Sequence, residues 1–530
     1  MYDLLIKNAT IVDGTGKPAF MGSVGVKNGK IALTDASQLA EKVIDATGLN
    51  VTPGFIDIHS HGDMVLGADY AKMCKVSQGI TTEVAGQCGS SMFPVNPECL
   101  TELKELLAVC TLSFPDEMEN WTTYEKYCNY VEQLPLAANV KLFTGHNTIR
   151  IAVMGYDKRK PTEDEMGKMK AYLKDAMENG STGLSSGLVY SPGGFCDKEE
   201  IIELAKVIKP YGGIYSTHVR SESSGVVEAV AEALEIGREA EVPVIISHHK
   251  ACGRMNWGLP NITLKMITDA RAEGMMVTLD QYPYTAAMSH LNVCIPSKYF
   301  DHSITGLVEY LKDHELRKKI TQEILDPSTP FENWYLNCGG WDNIFISALS
   351  KTPEYAGMFV SEVANKMRKN GFEAYYDLNV ANEGLGSCIY YCIGEEDLCN
   401  IIQAPDAVVG TDGICRAMQE TAHPRAWGAF PHAFCYFHKE KGLLTMEEMI
   451  RKMTSLPAER AMIKNKGVIA DTYDADLVIF NYKNFCDRAD YKNSNQLTDG
   501  IEYVIVDGKI VYQDRQLTGI NPGKFIRHNP

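Results

Sequence analysis

The middle of this 530-residue chain is organised by one pattern: short apolar runs alternating with stretches of helical periodicity. The runs are Gly54–Ile58, Ile80–Val84, Val140–Thr144, Gly183–Gly187, Ile214–Thr217, Val244–Ser247, Met276–Leu279 and Ala407–Gly410. Between them lie Glu163–Glu178, Lys198–Ile208, Gly225–Ala240 and Thr263–Ala272, with helix-start signals at Pro161-Thr162 and Cys196-Asp197. Strands that alternate with helices need crossover connections, and crossovers imply a parallel sheet. Eight such runs predict an α/β fold of the (β/α)8 TIM-barrel type. Gly183–Gly187 is the least strand-like of the eight, being rich in Gly and Ser, and a doubly wound sheet satisfies the same alternation.

The two ends read differently. Leu4–Ile6, Thr10–Val12, Val24–Val26 and Lys30–Leu33 are strand-like, punctuated by Asp13-Gly14 and Asn28-Gly29. Asp476–Phe480, Ile501–Val506 and Lys509–Tyr512 repeat the pattern, with Asp507-Gly508 as the turn. Neither end carries enough apolar surface for its own core. The expectation is one small β-sandwich domain built from residues 1–52 and 466–530, with the barrel spanning 53–465. About 125 residues separate Leu279 from Ala407, far more than one ordinary connection. An insertion at about 289–377, after the seventh barrel strand, is therefore expected, with a lid as its role.

Charge and cysteine content narrow the class. With 51 basic and 68 acidic side chains the net charge is -17, which argues against a nucleic-acid binder. No run reaches the ~18 apolar residues that cross a bilayer. The 15 cysteines come without a secretory leader in Met1–Lys7, so reduced thiols and a cytoplasmic location are expected. Oligomeric state is not encoded in these patterns.

The chemistry sits where the runs end. The first is followed by His59-Ser60-His61, a spacing that puts both imidazoles on one face of a strand. Cys88 follows the second, His146 the third and His218 the fifth; His248 follows the sixth, with His249 and Lys250 next. Asp280, Tyr282 and Tyr284 follow the seventh, and Asp412 the eighth. Polar residues at the C-terminal ends of successive strands are where barrel enzymes keep their sites. Thiolate plus imidazole suits zinc. Cys88, His218 and His248 make one three-ligand site, and His59 and His61 complete a neighbouring one. A catalytic zinc lowers the pKa of bound water to about 7. Asp412 is then the general base that returns the proton to the leaving group.

These residues lie in blocks that resemble the amidohydrolase superfamily, and within it the D-aminoacylase (N-acyl-D-amino-acid deacylase) family. The superfamily pattern is Val51-Thr52-Pro53-Gly54-Phe55-Ile56-Asp57-Ile58-His59-Ser60-His61, with Lys466–Ile469 and Asp474–Val478 at the other end. The narrower resemblance lies in the Cys88 loop, Gly145–Arg150, Ser185–Tyr190, Ser247–Lys250, Tyr282–Ala286 and His423-Pro424-Arg425. It implies that Cys88, His218 and His248 hold one tight zinc and that His59 and His61 serve a second site, weak or empty. It also implies that Lys250 and Arg425 bind the α-carboxylate of a small N-acyl-D-amino acid, with Tyr190 and Tyr282 as further substrate contacts. Tyr284 and His146 are read as packing as readily as contacts, Arg416 as a surface charge, and His249 as facing out. Gln87 and His432 depart from the residues common in the family and bear on which side chain is accepted. A hydantoinase-like cyclic-amide hydrolase is the first alternative. It calls for a bridging Lys after the fourth run, and Gly183–Tyr190 has none. A non-enzymatic barrel scaffold is the second; such proteins lose ligands, and every expected one is present.

Overall fold

The structure is a computed structural model that describes residues 1–111, 113–300, 304–417 and 422–529. Both chain ends enter one nine-stranded sheet. Tyr2–Ile11 pairs antiparallel with Phe20–Lys27 and parallel with Ala40–Asp45 and Asn50–Pro53. Asn50–Pro53 then pairs antiparallel with Leu477–Phe480, which joins the two ends. Ile501–Val506, Lys509–Gln513 and Gln516–Leu517 complete that side. Asn28-Gly29 and Asp507-Gly508 each have both φ values positive, the backbone of the tight hairpin turn that matches strand twist. One apolar layer, including Ile6, Val24, Val51, Ile479 and Ile505, is contributed by both ends.

The expected C-terminal segment 466–530 does not all belong to this sheet. The chain leaves it after Leu517 and runs back to the strand Asn139–Leu142. Val140 N–H donates to Lys524 O at 2.9 Å, Ile526 N–H to Val140 O at 2.7 Å, and His528 N–H to Gly180 O at 2.8 Å. The spare hydrogen-bonding edge of a barrel-region strand wins this tail.

All eight central runs form parallel strands. Phe55–Asp57, Ile80–Ala85 and Asn139–Leu142 make one sheet. Thr144–Gly145, Gly183–Gly187, Ile214–His218, Val244–Ile246, Val277–Gln281 and Ala407–Val409 make the other. The third run is interrupted at Phe143, so it contributes to both sheets. Hydrogen bonds bridge the sheets there (Phe143 N–H to Ala85 O, 2.9 Å) and also between the first and last strands (Asp412 N–H to His59 O, 2.8 Å; His61 N–H to Gly413 O, 3.2 Å). Helices Glu163–Glu178 and Lys198–Ile208 start at Thr162, with a reciprocal capping box, and at Asp197. Leu173, Leu204, Ile208 and Val230 pack their apolar faces onto the strands.

The long gap folds into its own layer. Strands Ala286–His290, Ser387–Tyr391 and Ile344–Ala348 form an antiparallel sheet, in that order. Helices including Ile304–Lys312, His314–Leu325, Trp334–Cys338, Val360–Met367 and Gly371–Ala381 accompany it. The first and last of these strands in sequence, Ala286–His290 and Ser387–Tyr391, reach beyond 289–377 on either side, because they pair with each other across the segment. Its core contains Trp334, Trp341, Tyr375 and Tyr390. Gly253 N–H donates to Cys392 O at 2.7 Å, which seats the layer on the loop after Lys250. Among the described residues, no helix is long and apolar enough to cross a membrane.

Candidate metal centre

The strand ends bring the expected ligands together. His59, Cys88, His248 and Asp412 form one buried group whose ligand atoms all lie within 4.8 Å of one another. Cys88 Sγ stands 3.3 Å from both His59 Nε2 and His248 Nε2. His61 joins through Nε2, 3.1 Å from Asp412 Oδ1. His218 falls in a second group with Glu222 and His248. Cys88 also interacts with His218, and His218 shares the second group with His248, so the donors of both expected sets, Cys88–His218–His248 and His59–His61, form one continuous cluster.

The backbone is bent to achieve this. Cys88, His248 and Asp412 have φ of +54°, +34° and +47°, in the left-handed region that non-glycine residues rarely occupy. Gly86 and Gly89 flank Cys88 with φ of +76° and +75°. A Cβ on Gly86 would lie 2.4 Å from Phe143 O, and one on Gly89 would lie 2.7 Å from Gly187 N. The Cys88 loop is thus glycine-rich because it must turn sharply while pressed against two neighbouring strands.

Two buried carboxylates orient the imidazoles. Asp280 Oδ2 lies 3.0 Å from His59 Nδ1, and its Oδ1 accepts the His248 N–H at 2.9 Å. Glu222 Oε1 lies 3.0 Å from His248 Nδ1 and takes a 2.5 Å bond from Lys250 Nζ. Each carboxylate turns the far ring nitrogen, Nε2, toward Cys88. Glu222 was not singled out by its sequence position, four residues beyond His218 in a loop without periodicity.

The electrostatics and the donor set fit a soft divalent cation. Burial opposes ionisation of Cys88, but the His59 and His248 imidazoles overcome it and hold the thiol well below its ordinary range. Burial likewise opposes charge on Asp412, yet Arg425, with Nη1 2.7 Å from Oδ2, and the nearby histidines hold its carboxyl well below the usual range. His61 Nδ1 and both ring nitrogens of His218 are buried without a hydrogen bond of good geometry. A thiolate among imidazoles, beside unsatisfied ring nitrogens, is the environment that a metal such as zinc completes.

The other expected residues line the same cavity: Lys250, Arg425, Tyr190 and Tyr282 all face it. The Arg425 guanidinium lies 4.6 Å from the Tyr282 ring centroid. The Tyr282 hydroxyl is buried without a hydrogen bond. The Tyr190 ring meets His218 edge-on at 4.8 Å. Ser289, His290 and Trp334 arrive from the inserted layer and were not expected. Tyr284 stays outside this cavity and stacks on His432 at 4.6 Å. His146 is paired with Glu200 at 2.7 Å, and His249 with Thr263 at 2.7 Å on the side away from the ligands. Arg416 donates to Val109 O at 3.0 Å. Neither Gln87 nor His432 lines the cavity: Gln87 donates to Ile58 O and accepts from Ser216, bracing the strand ends.

The profile of the amidohydrolase family matches residues 42–201 and 396–512. The chain is 32% identical to a D-aminoacylase of Alcaligenes xylosoxydans xylosoxydans over 535 aligned residues, covering 99% of this chain and 97% of that one. It is also 32% identical to an N-acyl-D-aspartate deacylase of the same organism, covering 99% and 95%. Among solved structures it superposes on N-acyl-D-glutamate deacylase from Bordetella bronchiseptica, complexed with zinc and a phosphonate inhibitor. That match has a TM-score of 0.84 and 29% identity over 99% of both chains. The segment between the two matched blocks holds the strands Ile214–His218, Val244–Ile246 and Val277–Gln281 as well as the inserted layer, and the full-length relatives span all of it. By strand-end chemistry, fold and sequence together, this chain belongs to the amidohydrolase family, in its D-aminoacylase branch.

Proposed function

We propose that this chain is a zinc-dependent deacylase that hydrolyses N-acyl-D-amino acids to a carboxylate and a free D-amino acid. The observation that carries the reading is the buried cluster of His59, Cys88, His248 and Asp412, with Arg425 and Lys250 beside it. Cys88, His218 and His248 would hold the tight ion, with His59 and His61 at a second, weaker position. The bound metal supplies Lewis acidity and an activated water at neutral pH.

The protein's own groups do the rest. Asp412, kept ionised by Arg425, accepts a proton and returns it to the departing amine. Arg425 and Lys250 provide two cationic donors for the α-carboxylate. Each has a resident carboxylate partner, Asp412 and Glu222, so an arriving substrate shares these cations. The Tyr282 hydroxyl, held protonated by burial, is a free donor for the scissile carbonyl or the carboxylate, and Tyr190 faces the same space. The two parallel sheets are read as one closed (β/α)8 barrel, about residues 53–465. Residues 1–52 and 466 to about 520 would form the small β domain. The cyclic-amide alternative lacks its bridging Lys in Gly183–Tyr190.

The test is metal analysis of the purified protein together with hydrolysis of N-acetyl-D- and L-amino acids, with and without added zinc. Stoichiometric zinc and D-selective hydrolysis are expected. Asp412→Asn should lower kcat by at least about a hundredfold, and Cys88→Ala should lose zinc. Full activity in the first variant, or full zinc content in the second, would overturn the assignment.

A further inference from the structure

Beside the metal-site cavity lies a larger chamber of about 210 Å³. The two spaces share Leu106, Tyr190, His290 and Trp334 as a common wall. We propose that this chamber receives an uncharged, apolar substituent of the substrate and disfavours an acidic one in the same position. The proposal rests on the deacylase reading above and adds to it the class of group that the site selects.

The lining is the first argument. Leu188, Tyr190, Phe195, Val293, Phe331 and Trp334 present aliphatic and aromatic surface. Such walls favour burial of apolar area, with Ser191, Asn292 and Ser297 as neutral polar members of the lining.

Charge is the second. Arg220 is the one basic side chain among the described residues lining the chamber. Its Nε and Nη2 are committed to Glu232 at 2.8–3.2 Å, and Nη1 points to Gly194 O at 3.4 Å. The acidic lining group, Glu332, accepts from Ser221 Oγ at 2.7 Å and from Asn337 Nδ2 at 3.2 Å. His290 is held by burial at about 4, so it is neutral at pH 7. A substrate carboxylate entering here would meet Glu332 and would have to share the single cation, Arg220, with Glu232 and the Gly194 carbonyl.

The basic residues of the insertion do not supply one. Arg317 is bound to Glu373 and Asp377, Lys318 to Glu315, and Lys369 to Asp377. Lys366 lies over the Tyr355 ring. None of these lines the chamber.

The occupant is either the D-side chain or the acyl chain, and two substrate series separate them. One varies the side chain on an N-acetyl group: D-Ala, D-Leu, D-Phe, D-Asp and D-Glu. The other varies the acyl group on D-Ala: acetyl, butyryl, octanoyl and glutaryl. The zinc-loaded enzyme should show kcat/KM rising about tenfold or more with apolar size in one series, which identifies the occupant. Where the side-chain series is the responsive one, D-Asp and D-Glu should fall about a hundredfold or more below D-Leu. Val293→Trp should lower the large-to-small ratio in the responsive series about tenfold, and Val293→Lys should raise the relative rate of an acidic group in that series (D-Glu against D-Leu, or glutaryl against butyryl). If Val293→Trp does not fold, Val293→Lys carries the test. A preference for acidic groups in the responsive series, flat responses in both series, or ratios unmoved in both variants would overturn the proposal. Absence of hydrolysis across all N-acyl-D-amino acids is a different result and removes the deacylase reading itself.

Discussion

Three residues with left-handed backbones, Cys88, His248 and Asp412, form the centre of the site, at a cost of about 1–3 kcal/mol each. Such conformations persist only where neighbours over-determine them. Asp280 is the clearest of those neighbours, since it holds the His59 ring through Oδ2 and the His248 backbone through Oδ1. Asp280→Asn keeps the shape but replaces an oxygen acceptor with an amide that can present the wrong atom to Nδ1. Zinc affinity should fall about 10- to 100-fold while the protein stays folded. Competition against a chromophoric chelator measures this, and unchanged affinity would remove Asp280 from the support of the site. Much of the residue-level picture was legible in the sequence. His59 and His61 declare themselves by a period of two. Cys88, His218, His248 and Asp412 do so by standing just past apolar runs. Glu222 did not, because its role depends on Lys250, 28 positions along the chain, and on a loop with no repeat to mark it. The same holds for Ser289, His290 and Trp334, which reach the cavity only through the folding of the inserted layer.

Elements were legible wherever a local rule fixed them. Glu163–Glu178 and Lys198–Ile208 begin at the Thr and Asp caps that the sequence offers. Illegible features depend on distant partners: the break at Phe143, the strands that extend the insertion beyond 289–377, and the tail 523–528. The tail carries its own pH dependence. His528 Nε2–H points at the carbonyls of Tyr211 and Gly212, both 3.1 Å away, and Nδ1 accepts from Lys141 Nζ at 3.2 Å. Only the neutral imidazole satisfies all three contacts. Burial, with the Lys141 charge adding to it, holds the docked His528 at about 4, whereas a free His titrates near 6.5. Because the docked pKa is the lower one, the released tail binds more protons between about pH 4 and 6.5. Docking is therefore strongest above about pH 6.5 and weakens as pH falls toward 4. Protection factors at Ile526 and His528, that is, exchange corrected for the intrinsic rate at each pH, should fall as pH is lowered across that window. His528→Gln, which keeps a donor but does not titrate, should flatten the response; an unchanged slope in that variant would show that another group governs the tail.

At the scale of the whole molecule, the candidate ligands tie together parts that folding alone holds at some cost. His59, Cys88, His218 and His248 follow four different parallel strands, and Asp412 follows a fifth. A cation bound among them links the first and last strands beside the junction that Asp412 and His59 make through the backbone. It also neutralises a buried thiolate that the apo protein must stabilise with imidazoles alone. The native arrangement assembles these donors and the unfolded chain does not, so metal binding adds directly to folding stability. At a free zinc concentration a thousandfold above Kd the gain is about 4 kcal/mol. Stripping the metal with a strong chelator should lower Tm by several degrees, and one equivalent of zinc should restore most of it. Cys88→Ala should begin at a lower Tm and gain much less from zinc. The nine-stranded sheet formed by both termini ends close to His59 in sequence, at Pro53, but none of its strands carries a candidate ligand. Loss of the metal should therefore broaden or split the melting transition near the strand ends before that nine-stranded sheet unfolds. Calorimetry with and without chelator distinguishes this from a uniform shift, and a Tm indifferent to zinc in the unaltered protein would remove the metal from its structural role.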